Sequence, residues 1–328
     1  MRILIVNTGL IPVKLYGGTE RVIYSLGKEL VKLGHEVTYL VKEGSYCDFA
    51  KVLFLDTKKP VIDQISNKYD IVHFNFVPDC VEKLRIPYII TQHGNSNDFT
   101  DLDRNTVFVS KNHAQRYNST SYVYNGLDWS DYMIPDFNKK KDYYHFLGNA
   151  AWRVKNIKGA IDTILRIKDA KLKVLGGVRF NFKMGIRFTI SPRISFAGMV
   201  GGIEKEKILN ESKGLIFPVV WHEPFGLAII ESLYYGCPVF GTPYGSLPEI
   251  VNSDVGFLSN CIEKLSDAVA DSGSFSSQRC HEYALDKFNS KNMALQYLKK
   301  YEIILNKEFL NAKRPVLKDH KFKNLEWG

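Results

Sequence analysis

Apolar and polar positions follow two rhythms along this chain. Arg2–Thr8 is a short continuous apolar run, the pattern of a strand buried on both faces. Thr19–Leu33 follows with Val22, Ile23, Leu26, Leu30 and Leu33 at helical spacing, and Gly34 is a C-terminal stop. Glu36–Val41 is the next strand pattern. Ile71–Phe76, Tyr88–Gln92 and Val107–Ser110 are further short apolar runs bounded by polar turns. Repeated strand–helix–strand alternation predicts a parallel sheet covered by helices.

Periodicity lapses over Asp128–Asp142, which holds Pro135, Asn138 and Lys139-Lys140-Lys141. It then restarts with strand Tyr143–Gly148, helix Ile157–Ile167, and strands Leu172–Gly176 and Ile194–Gly198. Helix Glu204–Glu211, strand Gly214–Val219, helix Phe225–Tyr235 and strand Pro238–Gly241 continue it, and Asn289–Leu305 is a last helical stretch. The pattern predicts an α/β chain of two Rossmann-like domains, residues 1–135 and 136–290. Residues 291–328 are expected to form a C-terminal helix and basic tail packing back toward the first domain. Open parallel sheets bind ligands beyond the carboxyl ends of their strands. The expected site is therefore a cleft between two facing domains.

Composition narrows the picture. The chain has 328 residues, 45% apolar and 24% charged, as in a soluble globular protein. No apolar run approaches the roughly 20 residues of a membrane helix. The run Met1–Val6 is too short for a signal peptide. Five cysteines without CxxC spacing suit a reducing compartment, so a cytoplasmic protein is expected. A net charge of +9 favours anionic partners. The basic clusters are Lys139–Lys141, then Arg179, Lys183, Arg187 and Arg193, then Lys313, Arg314, Lys318, Lys321 and Lys323. Each reads as solvated surface. The middle one, interleaved with Phe180, Phe182, Met184, Ile186 and Phe188, reads equally as an interfacial segment at the anionic inner face of the plasma membrane. Nucleic acid is not an expected partner.

The strongest chemical signal is a pair of carboxylates eight residues apart, Glu223 and Glu231, in His222-Glu-Pro-Phe-Gly-Leu-Ala-Ile-Ile-Glu231. Pro224 suits the first turn of a helix, where a missing N–H is harmless. The amides of Phe225, Gly226 and Leu227 are then expected at an anion-attracting helix start. A carboxylate at each end of an anion site matches a ligand with hydroxyls on both sides of a diphosphate, which is a sugar nucleotide.

Other segments are weaker alone. Tyr16-Gly17-Gly18-Thr19-Glu20-Arg21 allows close approach of a phosphate and equally a plain tight turn. His93, in Thr91-Gln-His-Gly-Asn95, is placed to hydrogen-bond a substrate hydroxyl or to serve structurally. Trp152–Gly159 sets Arg153, Lys155 and Lys158 at a strand-to-helix junction, suited to a departing diphosphate or to solvent. Gly241–Glu249 is a turn that suits a phosphate, a sugar or neither. Asp101-Leu102-Asp103 has the two-carboxylate spacing of some metal sites but no supporting ligands nearby, so no metal is expected.

Together these segments resemble the retaining glycosyltransferases of family 4, with the GT-B fold and a Glu-x7-Glu motif. The resemblance rests on Gly17–Arg21, Asn125–Asp128, Lys158-Gly159 and the box from Glu223, with Gly245–Val251 and Gly256–Leu258 as support, and covers about residues 1–305. It implies that Gly17 and Gly18 line the phosphate and acceptor side and that His93 faces the donor sugar. Arg153 and Lys158 would grip the diphosphate, with Lys155 as the alternative. Glu223 would bind sugar hydroxyls, flanked by Pro224 and the Phe225–Leu227 amides. Glu231 would bind ribose, and Gly198, Met199 and Val200 the nucleobase. One departure is that Gly148 is followed by Asn149 where the family shows arginine.

The implied reaction is retaining transfer from a nucleoside diphosphate sugar, UDP favoured over GDP, to a glycan or lipid-linked hydroxyl. The implied setting is cell-surface polysaccharide or lipopolysaccharide biosynthesis, with no metal or cofactor. Rival readings are a noncatalytic basic binding protein for anionic ligands and an NAD-dependent oxidoreductase. The oxidoreductase lacks its GxGxxG after Arg2–Thr8. A phosphorylase would need a pyridoxal phosphate lysine, for which there is no clear candidate.

Overall fold

The computed structural model describes residues 1–13, 17–96, 100–181, 187–318 and 324–328. Phe182, Lys183, Met184 and Ile186 of the expected interfacial segment, and Lys321 and Lys323 of the tail, lie outside the described residues. The chain divides into two compact units. The first is built from Met1–Val13, Gly17–Trp129 and Phe288–His320, the second mainly from Ser130–Lys287 and Lys321–Gly328.

The first unit contains β1 (Arg2–Val6), α1 (Gly18–Lys32), β2 (Glu36–Val41), β3 (Lys51–Phe54), β4 (Ile71–Phe74), β5 (Tyr88–Gln92), β6 (Thr106–Phe108) and α2 (Lys111–Arg116). Its six strands lie in the order β3-β2-β1-β4-β5-β6 and all pair in parallel. Central β1 buries every residue after Arg2, which is why it reads as an unbroken apolar run. Helix α1 buries Val22, Ile23, Leu26 and Leu30 on one face, as their spacing predicts. A side chain at Gly27 would overlap the Tyr39 hydroxyl, so glycine there lets Tyr39 reach the Ile23 and Tyr24 carbonyls at 3.2 Å. Strand β3 is absent from the periodicity reading. It is a four-residue edge strand with no fully buried position, so its apolar pattern is faint.

The second unit contains β7 (Tyr144–Leu147), α3 (Ile157–Leu165), β8 (Leu172–Leu175), β9 (Phe180–Asn181), β10 (Arg187–Phe188), β11 (Ile194–Gly198) and α4 (Gly202–Asn210). It continues with β12 (Leu215–Phe217), α5 (Leu227–Tyr234), β13 (Val239–Gly241), α6 (Leu247–Ile250), β14 (Gly256–Leu258), α7 (Ile262–Ala270) and α8 (Ser277–Lys287). Strands β9 and β10 form a separate antiparallel hairpin; the main sheet runs β11-β8-β7-β12-β13-β14, all parallel. With the hairpin set aside, both sheets show the same order, third-second-first-fourth-fifth-sixth. That is the doubly wound order, with its crevice where the strand order reverses. The reversals fall between β1 and β4, and between β7 and β12.

Helix α9 (Ser290–Leu305) belongs to the first unit and packs on α1. Asn289 caps it by accepting from the Asn292 amide at 2.8 Å. Its tyrosines close a polar chain inside the sheet. Tyr301 lies 2.8 Å from His73 Nδ1, His73 Nε2 lies 2.7 Å from Thr91 Oγ1, and Thr91 lies 2.9 Å from the Tyr297 hydroxyl. Burial lowers the His73 pKa to about 3, so the imidazole is neutral. The second sheet has a counterpart. His145 on β7 sits 2.8 Å from both Ser212 and Ser232, and burial likewise lowers its pKa to about 3. The end of the chain joins the second unit: the Leu325 amide donates to the Val220 carbonyl at 2.8 Å, and Trp327 packs on the core around α3 and β7.

Several of the expected surface cations also have structural partners, with Lys139 and Lys141 remaining exposed. Lys140 donates to the Tyr235 carbonyl at 2.7 Å, at the end of α5. Lys139 pairs with Asp136 at 2.9 Å and Lys141 with Glu211 at 2.7 Å. Arg179 donates to the carbonyls of Thr189 and Ile194 at 2.6 Å. Arg193 binds the carbonyls of Leu165 and Ile167 at 2.9 and 2.6 Å, closing the end of α3. Helix ends leave unmet carbonyls, and cations satisfy them.

Candidate functional site

The second unit gathers buried charge after the two strands that flank the reversal and on α4. The segment after β7 makes a tight turn at Arg153–Lys155 and enters α3 through Asn156. Asn156 takes a left-handed conformation (φ 51°), which asparagine tolerates better than most residues, and its side chain caps α3 by accepting from the Gly159 amide at 3.0 Å. The turn is tied to the segment after β12. Val220 donates to the Val154 carbonyl at 2.9 Å, and Asn156 donates to the Pro218 carbonyl at 2.9 Å. These bonds aim Lys155 inward.

Lys155 Nζ meets Glu223 Oε2 at 2.5 Å, with both side chains less than a tenth exposed. Trp221 Nε1 donates to the same oxygen at 2.8 Å. The Lys155 ammonium lies 5.0 Å from the Trp221 ring centre and 5.3 Å from that of Phe217. The loop after β13 supports Glu223 from behind. Gly245 is left-handed (φ 63°), a side chain there would collide with the Glu223 backbone, and the Ser246 amide donates to the Glu223 carbonyl at 2.9 Å. Gly241–Glu249 thus has a defined role as a buttress.

A second buried pair lies eight residues on. Glu231, 1% exposed on α5, is held by Lys205 of α4 and by the Tyr132 hydroxyl at 3.1 Å. The Lys205 ammonium stands 5.6 Å from the Tyr132 ring centre. Beside it, Glu206 accepts from the Tyr235 hydroxyl at 2.8 Å and the Met133 amide at 2.7 Å. Removing one partner of such a pair leaves a buried charge uncompensated, at a cost of about 3–5 kcal/mol.

The structure refines the sequence expectations. Helix α5 starts at Leu227 because Gly226 is left-handed (φ 85°) and ends the preceding loop. Pro224 and Phe225 therefore precede the helix rather than form its first turn, and Phe225 is buried with its carbonyl accepting from Ser246 at 2.7 Å. Lys158, expected at the diphosphate, points outward: its side chain is 81% exposed and pairs with Asp162 one turn along α3 at 2.6 Å. Arg153 is exposed on the turn, and Lys155 is the cation that reaches Glu223. Gly198 (φ 72°), Met199 and Val200 stand at the end of β11, ahead of α4. Lys205, Trp221 and Tyr132 were missed. Lys205 lies in Glu204-Lys-Glu-Lys207, which spells a solvated face.

His93, Gly17 and Gly18 belong to the first unit. His93 follows β5 and meets Asn75 Oδ1 through Nε2 at 2.9 Å; Asn75 in turn donates to the Val6 carbonyl, so the imidazole is the donor. Burial lowers the His93 pKa to about 4, keeping it neutral at pH 7. Asp103 accepts from Tyr88 at 3.0 Å and from the Asn105 amide at 2.7 Å, a turn-forming role. Among the described residues, no group of three or more His, Cys, Asp or Glu side chains is placed to hold a metal.

Residues 141–272 match the family described as glycosyl transferases group 1. A curated relative, an uncharacterized glycosyltransferase of Methanocaldococcus jannaschii, is 26% identical over 119 residues; the match spans 34% of this chain and 29% of that relative. Among solved structures, AviGT4, a glycosyltransferase involved in avilamycin A biosynthesis, superposes with a TM-score of 0.71 at 17% identity, covering 93% of this chain and 98% of its own. HepE of Anabaena, solved with UDP-glucose, gives 0.67 at 16% identity over 92% and 99%. The chain has the GT-B glycosyltransferase fold, and its second unit, which contains both buried Lys–Glu pairs, carries the match to glycosyl transferases group 1.

Proposed function

We propose that the chain is a retaining, family 4-type glycosyltransferase that moves a sugar from a nucleoside diphosphate donor, UDP in preference to GDP, to a glycan or glycolipid hydroxyl. The observation that carries this reading is the pair of buried carboxylates, Glu223 and Glu231, each held by its own lysine at the two ends of the segment that begins α5. A donor has what such a segment lacks: phosphate charge for Lys155 and hydroxyls for the carboxylates. On binding, the diphosphate would draw Lys155 from Glu223, while the Trp221 N–H keeps the carboxylate aimed at the sugar. Glu231 would take the ribose hydroxyls in exchange for Tyr132, and the backbone at Gly198–Val200 would meet the base. Lys155 and the first amides of α5 would stabilise charge building on the leaving diphosphate. Arg153 assists from the exposed turn, and His93, neutral and with its one N–H given to Asn75, serves the sugar as an acceptor through Nδ1. The likeness to a UDP-glucose complex supports the uridine preference.

We further read the reaction as metal-independent, set in cell-surface polysaccharide or lipopolysaccharide assembly at the inner membrane face. Phe180 and Phe188, both more than half exposed and 5.5 Å apart by ring centres, support the membrane contact. Turnover of UDP-glucose and related donors, followed by UDP release with and without EDTA, tests the reading. Glu223→Gln should lower turnover by about 10²–10³-fold at a temperature where circular dichroism shows the variant folded, with a lower melting temperature because Lys155 loses its buried partner. Wild-type-like turnover in that variant sinks the assignment.

A further inference from the structure

Residues 324–328 lie across the edge of the second sheet where its loops gather. They form no helix or strand, yet exposure alternates along them: Leu325 and Trp327 are half-buried, and Asn324, Glu326 and Gly328 are exposed. Such alternation marks an extended segment laid on a surface. Its ties fall on successive loops. The Leu325 amide donates to the Val220 carbonyl, after β12, at 2.8 Å. The Tyr244 hydroxyl, after β13, donates to the Glu326 carbonyl at 2.7 Å and accepts from Asn260 Nδ2 at 3.3 Å. The Gly328 amide donates to the Asn260 carbonyl, after β14, at 3.1 Å. Trp327 packs on the core beside α3, the helix that follows β7. A Cβ built on Gly159 would stand 2.7 Å from Trp327 Nε1 and closer still to Asn156 Nδ2, so the Lys158-Gly159 dipeptide makes room for an indole and a helix cap. Strands β7, β12, β13 and β14 are neighbours in that order, and all four ties sit beyond their carboxyl ends.

Two of these ties fall on the supports of the Lys155–Glu223 pair. Val220 is gripped through both its main-chain groups: its amide donates to the Val154 carbonyl at 2.9 Å, and its carbonyl accepts from Leu325. Val154 precedes Lys155, and Val220 precedes Trp221, whose Nε1 donates to Glu223 at 2.8 Å. Tyr244 precedes Gly245, the residue packed on the Glu223 backbone. Ordering an extended segment costs chain entropy, and here the order is passed to loops that aim a buried carboxylate. We propose that residues 324–328 form a strap that positions the Lys155–Glu223 pair, with Trp327 as its anchor. Leu325 and Glu326 hold the loops after β12 and β13, and through them Trp221 and Glu223 stay aligned with Lys155. They are positioning residues, acting through Val220 and Tyr244. The proposal rests on the glycosyl-transfer reading for what the pair does, and on the hydrogen bonds for how it is held.

Removing residues 324–328 should lower kcat for UDP-glucose by about 10²-fold, the loss that a small misplacement of catalytic groups produces, and kcat/KM by the same factor. Trp327→Ala should act in the same direction, and Trp327→Phe, which keeps a ring on the core, should recover most of the loss. Tyr244→Phe gives up one hydrogen bond to the strap and should lower kcat by a smaller factor; it leaves the core intact and decides the matter if the larger changes unfold the chain. Rates are taken where circular dichroism shows each variant folded, since a strap that only stabilises would leave them at wild-type values there. Amide hydrogen exchange is the second readout. Without the strap, exchange over residues 153–156 and 219–224 should quicken while exchange over β8 stays unchanged. Wild-type kcat in the folded variants, or exchange raised equally throughout, overturns the strap. If the wild type turns over no nucleotide sugar, yet loss of the strap quickens exchange in those loops and not in β8, the strap stands and the transfer reading fails.

Discussion

The two units share a sheet order and differ in what they bury. Each hides one neutral histidine between hydroxyls, His73 in the first and His145 in the second. The second also buries ammonium–carboxylate pairs, Lys155–Glu223 and Lys205–Glu231. Ion pairs described in the first unit keep a partner in water: Asp128 is buried, but its partners Lys28 and Lys32 are 23% and 48% exposed. Neutral polar chains tie a sheet to its helices at little electrostatic cost. Buried pairs are weak sources of stability, since desolvation consumes most of their attraction. Their presence beside a strand-order reversal suits a ligand that supplies new partners for both charges.

The sharpest way to break this comparison is Glu231→Ala. It strands Lys205 in the interior and should cost about 3–5 kcal/mol in urea denaturation, whereas Lys205→Met combined with Glu231→Leu should recover most of the loss. A single-variant cost within about 1 kcal/mol would remove the distinction between the units. The histidines come next. Their folded pKa values, about 3, lie below the unfolded value near 6.5, so only the unfolded chain takes up protons as pH falls between those limits. Each therefore contributes stability that is fully present above about pH 6.5 and is lost toward pH 3, at about 1.4 kcal/mol per pH unit. His73→Gln and His145→Gln should each flatten the pH dependence of the urea midpoint between pH 7 and 4 by a similar amount. Unequal slopes would show that the two histidines are not counterparts.

Smaller effects refine the picture. Tyr301→Phe leaves His73 Nδ1 without its partner and should cost about 1–3 kcal/mol, read as a lower melting temperature. Lys32→Ala, at an ion pair open to water, should cost less than about 1 kcal/mol by the same measurement.

Much of this was legible in the residues. Buried strands inside a sheet are continuous apolar runs, so β1, β2, β4 and β5 were readable, as was the amphipathic face of α1. The spacing of Glu223 and Glu231 announced a carboxylate pair. Their lysines were harder. Lys205 is flanked by charged residues, and only its placement against Glu231 turns it inward. At the α3 junction the Lys-Gly dipeptide drew attention to Lys158, but the left-handed position is Asn156, so the inward lysine stands three residues earlier. Asparagine hides there because it can adopt a backbone conformation usually signalled by glycine.

The interleaving of chain and unit sets how this protein can be dissected. A fragment stopping at Trp129 would contain all six strands of its sheet yet lack the tyrosines that complete His73 and Thr91. A fragment running from Ser130 to Lys287 would leave bare the core patch on which Trp327 rests. No single cut yields either half whole. An isolated first half calls for an internal splice joining residues 1–129 to 288–320, and an isolated second half must regain residues 321–328 through a grafted linker.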